Sequence, residues 1–191
     1  MFRYFVFCFL VIGFIGISSC SKDDDDGIPP DSEMGSATVK VTGEVEDEFT
    51  GMVDFELDQY SNTYMFDISI HDFSPQTFSV SFHAMSFSDD DLEIPGPGTY
   101  TLGTFPKADY GAEFIHIIDE DFVNTFDYYS FDFLPENEED EDVTGVLTIT
   151  SSNEDKMEGS FEFTAHRTDD DLNILGTVEV SGEFSAHRRI Y

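Results

Sequence analysis

The stretch TYMFDISIHDFSPQTFSVSFHAM, residues 63–85, decides the fold class. Tyr64, Phe66, Ile68 and Ile70 alternate with Asp67 and Ser69, and after a break Phe78, Val80, Phe82 and Ala84 alternate with serines and a histidine. A strict two-residue period is the signature of a strand with one face buried, because successive side chains point to opposite sides of a sheet. The break, Asp72-Phe73-Ser74-Pro75, carries turn residues. The stretch therefore reads as a hairpin.

The same period recurs outward in both directions. Upstream, Val39, Val41, Gly43 and Val45 share one side, as do Val53, Phe55 and Leu57 within Phe49–Asp58. Downstream, strands are expected at Gly98–Leu102, Glu113–Ile118, Tyr128–Phe133, Val143–Thr150, Met157–Arg167 and Thr177–Arg188. In the segment 128–133, Tyr129, Phe131 and Phe133 are expected on one side. Pro95-Gly96-Pro97-Gly98 is a turn and Pro135–Asp142, PENEEDED, an acidic loop. No segment shows a helical period of useful length. About ten strands at this spacing predict an all-β domain, an antiparallel β-sandwich or barrel, preceded by a signal peptide and a flexible tether. Two weak echoes occur, GSFEFTAHR (159–167) with GEFSAHR (182–188), and SDDDLEI (88–94) with TDDDLNI (168–174). They are too short for a repeat array.

The N-terminus has a different character. Met1-Phe2-Arg3 precedes an apolar run, Tyr4–Ile17, too short for a membrane-spanning helix of about 20 residues and suited to a secretory signal. Ile17-Ser18-Ser19-Cys20 has the form of a bacterial lipobox, which implies cleavage before Cys20 and acylation of its sulfur. More than one acyl chain anchors a protein stably. Ser21, Lys22, Asp23, Asp24, Asp25 and Asp26 then resemble the surface-export signal of Bacteroidota lipoproteins. The expected organisation is a signal peptide at 1–19, a lipidated cysteine and acidic linker at 20–36, and one β-domain at 37–191. With Cys8 lost alongside the signal, a single thiol remains and no internal disulfide can form.

Aspartate and glutamate total 41 against 8 lysines and arginines, a formal charge of −33. That excludes the basic footprint of a nucleic-acid binder. It favours solubility, attraction of cations and repulsion between copies, so a monomer is expected.

Gly98-Thr99-Tyr100-Thr101-Leu102-Gly103, Ala112-Glu113-Phe114, Gly145–Thr150, Glu158–Ala165 and Val178–Phe184, in that order, resemble a group of small all-β Bacteroidota lipoproteins of unknown function. The resemblance implies a β-domain on a lipid tether at the outer membrane, exposed at the cell surface, and brings no catalytic residues.

Motifs for chemistry are sparse. There is no H-E-x-x-H, C-x-x-C, G-x-S-x-G, G-x-G-x-x-G or P-loop. His71, His83, His166 and His187 fall on polar strand faces. A tight hairpin across 72–75 sets His71 opposite about residue 76 and His83 opposite about residue 64, roughly 23 Å apart. One across 168–176 sets His166 opposite about residue 177 and leaves His187 roughly 33 Å away. Neither pair can share a metal. Calcium is the one cofactor the spacing suggests. Asp169, Asp171 and Asn173 follow D-x-D-x-N, and Asp89, Asp91 and Glu93 nearly do, but the glycine and the closing carboxylate of a full calcium loop are missing. Phe87, Phe122, Phe126 and Tyr128 are candidates for a binding face. These readings predict a non-enzymatic binding or envelope-accessory module whose protein or glycan partner is unspecified. The alternatives are a calcium-assisted adhesin or glycan-binding module, and a calycin-like barrel with an apolar small molecule inside.

Overall fold

The computed structural model describes residues 34–60, 63–71, 77–86, 93–118, 125–130, 143–171 and 173–189. Cys20, Ser21–Asp26, the linker to residue 33, Phe87, Asp89, Asp91, Phe122, Phe131, Phe133 and the acidic loop at 135–142 lie outside the described residues. Among the described residues ten strands form: β1 Gly35–Gly43, β2 Asp47–Tyr60, β3 Thr63–His71, β4 Phe78–Ser86, β5 Gly98–Gly103, β6 Gly111–Ile117, β7 Thr125–Tyr129, β8 Val143–Ser152, β9 Lys156–Thr168 and β10 Ile174–Arg188.

Eight of them, in the order β1-β2-β3-β4-β6-β7-β9-β10, close into an antiparallel barrel through the β10–β1 pairing. Of the sandwich and the barrel, the fold is the barrel. Stepping through opposed residues from Phe55, the path passes Ile68, Phe82 and Ala112. It crosses Ser130, whose N–H donates to the Ala112 carbonyl, and goes on through Ala165 and Val178 to Gly43. It regains the chain near Val45, about ten residues from its start. That stagger tilts the strands, as closure of an eight-stranded sheet requires.

Among the described residues the β7–β9 seam is a single opposed pair, Tyr129 and His166. Above it β8 takes over the edge of β9, and β5 pairs with β8. This leaf rejoins the barrel where Leu102 bridges Tyr110 just before β6. The outer edge of β5 is blocked: the Asp109 carboxylate accepts the N–H and hydroxyl of Thr101, and Thr101 O accepts the N–H groups of Asp109 and Tyr110. Capping an edge in this way removes a template for unwanted strand pairing.

Alternation places the core as expected. Val39, Val41, Val53, Phe55, Phe66, Ile68, Ile70, Phe78, Val80 and Phe82 are all buried. Rings from distant strands meet on the barrel axis: Phe82 of β4 lies 4.9 Å from Phe161 of β9 and 5.9 Å, edge-on, from Phe163. These inward positions are filled by aromatic side chains, each contributing about 1.5–3 kcal/mol by burial. The echo at 159–167 and 182–188 has a physical reason. Gly182 lies opposite Phe161 and Gly159 opposite Phe184. A Cβ on Gly182 would stand 2.5 Å from the Phe161 ring, and one on Gly159 2.9 Å from the Phe184 ring. Each segment's glycine makes room for the other's phenylalanine.

Two expectations need correction. Strand β7 is Thr125–Tyr129, and Tyr128, not Tyr129, points inward with no exposure. Tyr128 is therefore core, not part of a binding face. The β3–β4 hairpin is also looser than a four-residue turn: His71 lies opposite Ser79, and His83 opposite Asp67. The two histidines are four residues apart along the ladder, about 13 Å. The β9–β10 register agrees with expectation, with His166 opposite Thr177.

Candidate functional site

The outward residues of β1, β10, β9 and β8 form a polar face. Across the β9–β10 ladder Glu158 opposes Ser185, Ser160 opposes Glu183, Glu162 opposes Ser181 and Thr164 opposes Glu179. Each carboxylate thus faces a hydroxyl, never another carboxylate, which avoids the cost of like charges directly opposed. On the flanks, Thr38, Lys40 and Thr42 of β1 oppose Glu183, Ser181 and Glu179. Val146 and Thr148 of β8 oppose Glu162 and Ser160.

Three open grooves adjoin along this face. The first, about 520 Å³, holds Glu158 and Glu183. The second, about 570 Å³, holds Glu183, Glu162 and, from β2, Glu48, which lies opposite Lys40, and the third, about 550 Å³, holds Glu162 and Glu179. Lys40 lines the second and third. The four glutamates of β9 and β10 are exposed.

The opposite wall is also acidic, but its acids are buried or half-buried. Asp54 is only 4% exposed although its strand position points outward. Arg189 covers it, donating from Nε and Nη2 to Asp54 Oδ2 at 3.1 and 2.6 Å, with Nη1 3.7 Å from Glu56. Asp67, opposite Glu56 and His83, is pushed up to about 6 by burial and by the charges of Glu56 and Asp58. Burial also raises Glu113, whose carboxylate accepts from Ser81. Tyr129, beside Glu113, is pushed up to about 12, chiefly by burial. His83 is lowered by burial, with Phe105 centred 6.3 Å away. Among the described residues no group of three or more His, Cys, Asp or Glu could hold a metal ion.

At the seam, Arg167 bonds Glu44, which also accepts from Tyr128 Oη at 3.1 Å. The guanidinium stacks 4.5 Å from the Phe126 centroid. This bond holds the Glu44 carboxyl below its usual range. The cluster ties β9 to β7 and to the β1–β2 turn beside the seam.

Of the residues in the calcium-like loops, Glu93 is exposed and Asp169, Asp171 and Asn173 form the β9–β10 turn. Asp169 Oδ1 accepts the backbone N–H groups of Asp171 and Asn173 at 3.0 and 2.9 Å. Asn173 Nδ2 donates to both Asp169 oxygens. Asp169 is the knot of the turn, a role Asp takes in loops because its short carboxylate reaches the backbone two residues on. The four strand histidines point outward. His116 occupies the inward register, opposite Phe78 and Phe126.

The carboxylate–hydroxyl ladder does not stand out in the sequence, because acids are so abundant that no single one is distinctive. The correct β9–β10 register already contained it. Comparison with known protein families, with curated proteins and with solved structures found no match to the chain.

Proposed function

We propose that this chain is a lipid-anchored outer-membrane protein that displays one β-barrel at the cell surface as a non-enzymatic binding module. The anchor reading rests on the lipobox at Ile17–Cys20, and the surface reading on Ser21–Asp26 and on the resemblance to small Bacteroidota lipoproteins. The binding reading is carried by one observation, the line of three adjoining grooves on the outer face of β1, β10, β9 and β8. Rings occupy the barrel axis while this face keeps its carboxylates exposed, which favours an occupant on the outside of the barrel over an apolar molecule within it.

Cell fractionation tests the anchor. Cys20→Ala should move the full chain from the membrane pellet to the soluble fraction, and retention in the pellet would overturn the anchor. Protease treatment of intact cells should remove the barrel of the unsubstituted chain. Protection until the cells are lysed would overturn surface display.

A further inference from the structure

The four carboxylates of the β9–β10 face are not a random cluster. Taken along the ladder they run Glu158, Glu183, Glu162, Glu179, switching strand at each step. Each step advances two residues, about 6.6 Å at the rise of a strand. That is also the distance between side chains i and i+2 on one side of an extended chain. Each of the three grooves is bounded by two successive members of the series. The hydroxyls of Ser160, Ser181 and Ser185 stand between them as further acceptors.

From this periodicity we propose that the face is a track for an extended basic peptide segment carrying Lys or Arg at every second residue. The inference rests on the reading of the barrel as a binding module and names its partner's chemistry. One cationic side chain enters each groove between two carboxylates of the series, joined in the second groove by Glu48, while alternate residues of the segment point to solvent. The formal charge of −33 steers such a segment from a distance, and the matched spacing selects it at contact. Glu183 and Glu162 each serve two grooves, whereas Glu158 and Glu179 serve one. Lys40, an exposed cation at the margin of two grooves, competes with the incoming side chains.

The test uses the purified full chain with synthetic peptides, read by fluorescence anisotropy at low and physiological salt. One peptide alternates Lys and Thr; a second has the same composition with its lysines contiguous; a third alternates Glu and Thr. The alternating basic peptide is expected to bind about fivefold tighter than the contiguous one, with no binding of the acidic peptide. Glu183→Gln and Glu162→Gln should each weaken it about two- to fivefold, the upper part of the range for an exposed ion pair, and Glu158→Gln and Glu179→Gln less. Lys40→Thr should tighten it. A control with Glu46→Gln, Glu154→Gln and Asp170→Asn removes three exposed charges from turns at the barrel ends. Equal binding of the two basic peptides, or equal loss in the control, would reduce the effect to bulk charge and overturn the track. So would an absence of binding. None of these results bears on fractionation or protease shaving, so the track and the anchored-module reading fail separately.

Discussion

Arg189, one residue beyond the last strand, reaches back to β2 and places two donors on a single oxygen of the buried Asp54 carboxylate, at 2.6 and 3.1 Å. Its own N–H donates to the Phe55 carbonyl, where β10 runs beside β2 beyond the start of β1. The C-terminal end of β10 thus covers a charge that strand alternation would have left in water.

Removing one partner of a buried pair strands the other. Arg189→Met should therefore destabilise the barrel by about 3–5 kcal/mol in urea unfolding, while Asp54→Asn with Arg189→Met should cost less than Arg189→Met alone. A double variant as unstable as the single one would show that the contact contributes only its packing.

Asp67 gives a pH-dependent signature. Its folded value of about 6 lies above the ordinary 3.8, so the folded state holds this proton more tightly than the unfolded chain. Stability from this group falls as pH rises from 3.8 to about 6, and the penalty is full above that range. Asp67→Asn should stabilise the protein at pH 7.5 by about 1 kcal/mol, the shift being discounted for solvent screening at a partly exposed site. The advantage should vanish below the ordinary aspartate range. Urea midpoints of both proteins across pH check this, and a pH-independent difference would contradict it.

Gly182 has no room for a side chain. A Cβ there would lie 2.3 Å from the Thr38 carbonyl and 2.5 Å from the Phe161 ring. Gly182→Ala should lower stability by about 1–3 kcal/mol through overpacking. Adding Phe161→Leu should not restore it, because the backbone contact remains. Thermal melting of the two variants distinguishes ring crowding from backbone crowding.

At the β9–β10 turn, both oxygens of Asp169 are already hydrogen-bonded within the loop. Millimolar calcium should leave the melting midpoint unchanged, whereas Asp169→Ala should lower it through loss of the turn's internal bonds. A rise in midpoint with calcium, abolished by Asp169→Ala, would instead establish a cation site.

Strand content and facing were legible because both follow from a local period. Phe66, Ile68 and Ile70 could only face one way once Asp67 and Ser69 faced the other. The turn residues at 72–75 point to a hairpin, yet its register differs from that of a four-residue turn, since loop length is not set by the presence of Ser and Pro alone. Tyr128 rather than Tyr129 faces inward for a similar reason. Either phase of alternation suits two adjacent tyrosines, and only the contact of Tyr128 with Phe114, ring centres 5.8 Å apart, chooses between them.

By itself, the sequence determined an all-β chain, the inward set of most strands and the outward placement of four histidines. These are consequences of side-chain polarity at a spacing of two residues. The tertiary structure alone decided that β4 pairs with β6 rather than β5, that β10 closes on β1, and that Arg189 covers Asp54. It also aligned Glu158, Glu183, Glu162 and Glu179 with three grooves. Such pairings join residues far apart in the chain. They are selected by which faces bury each other best, a competition among distant segments that no local pattern contains.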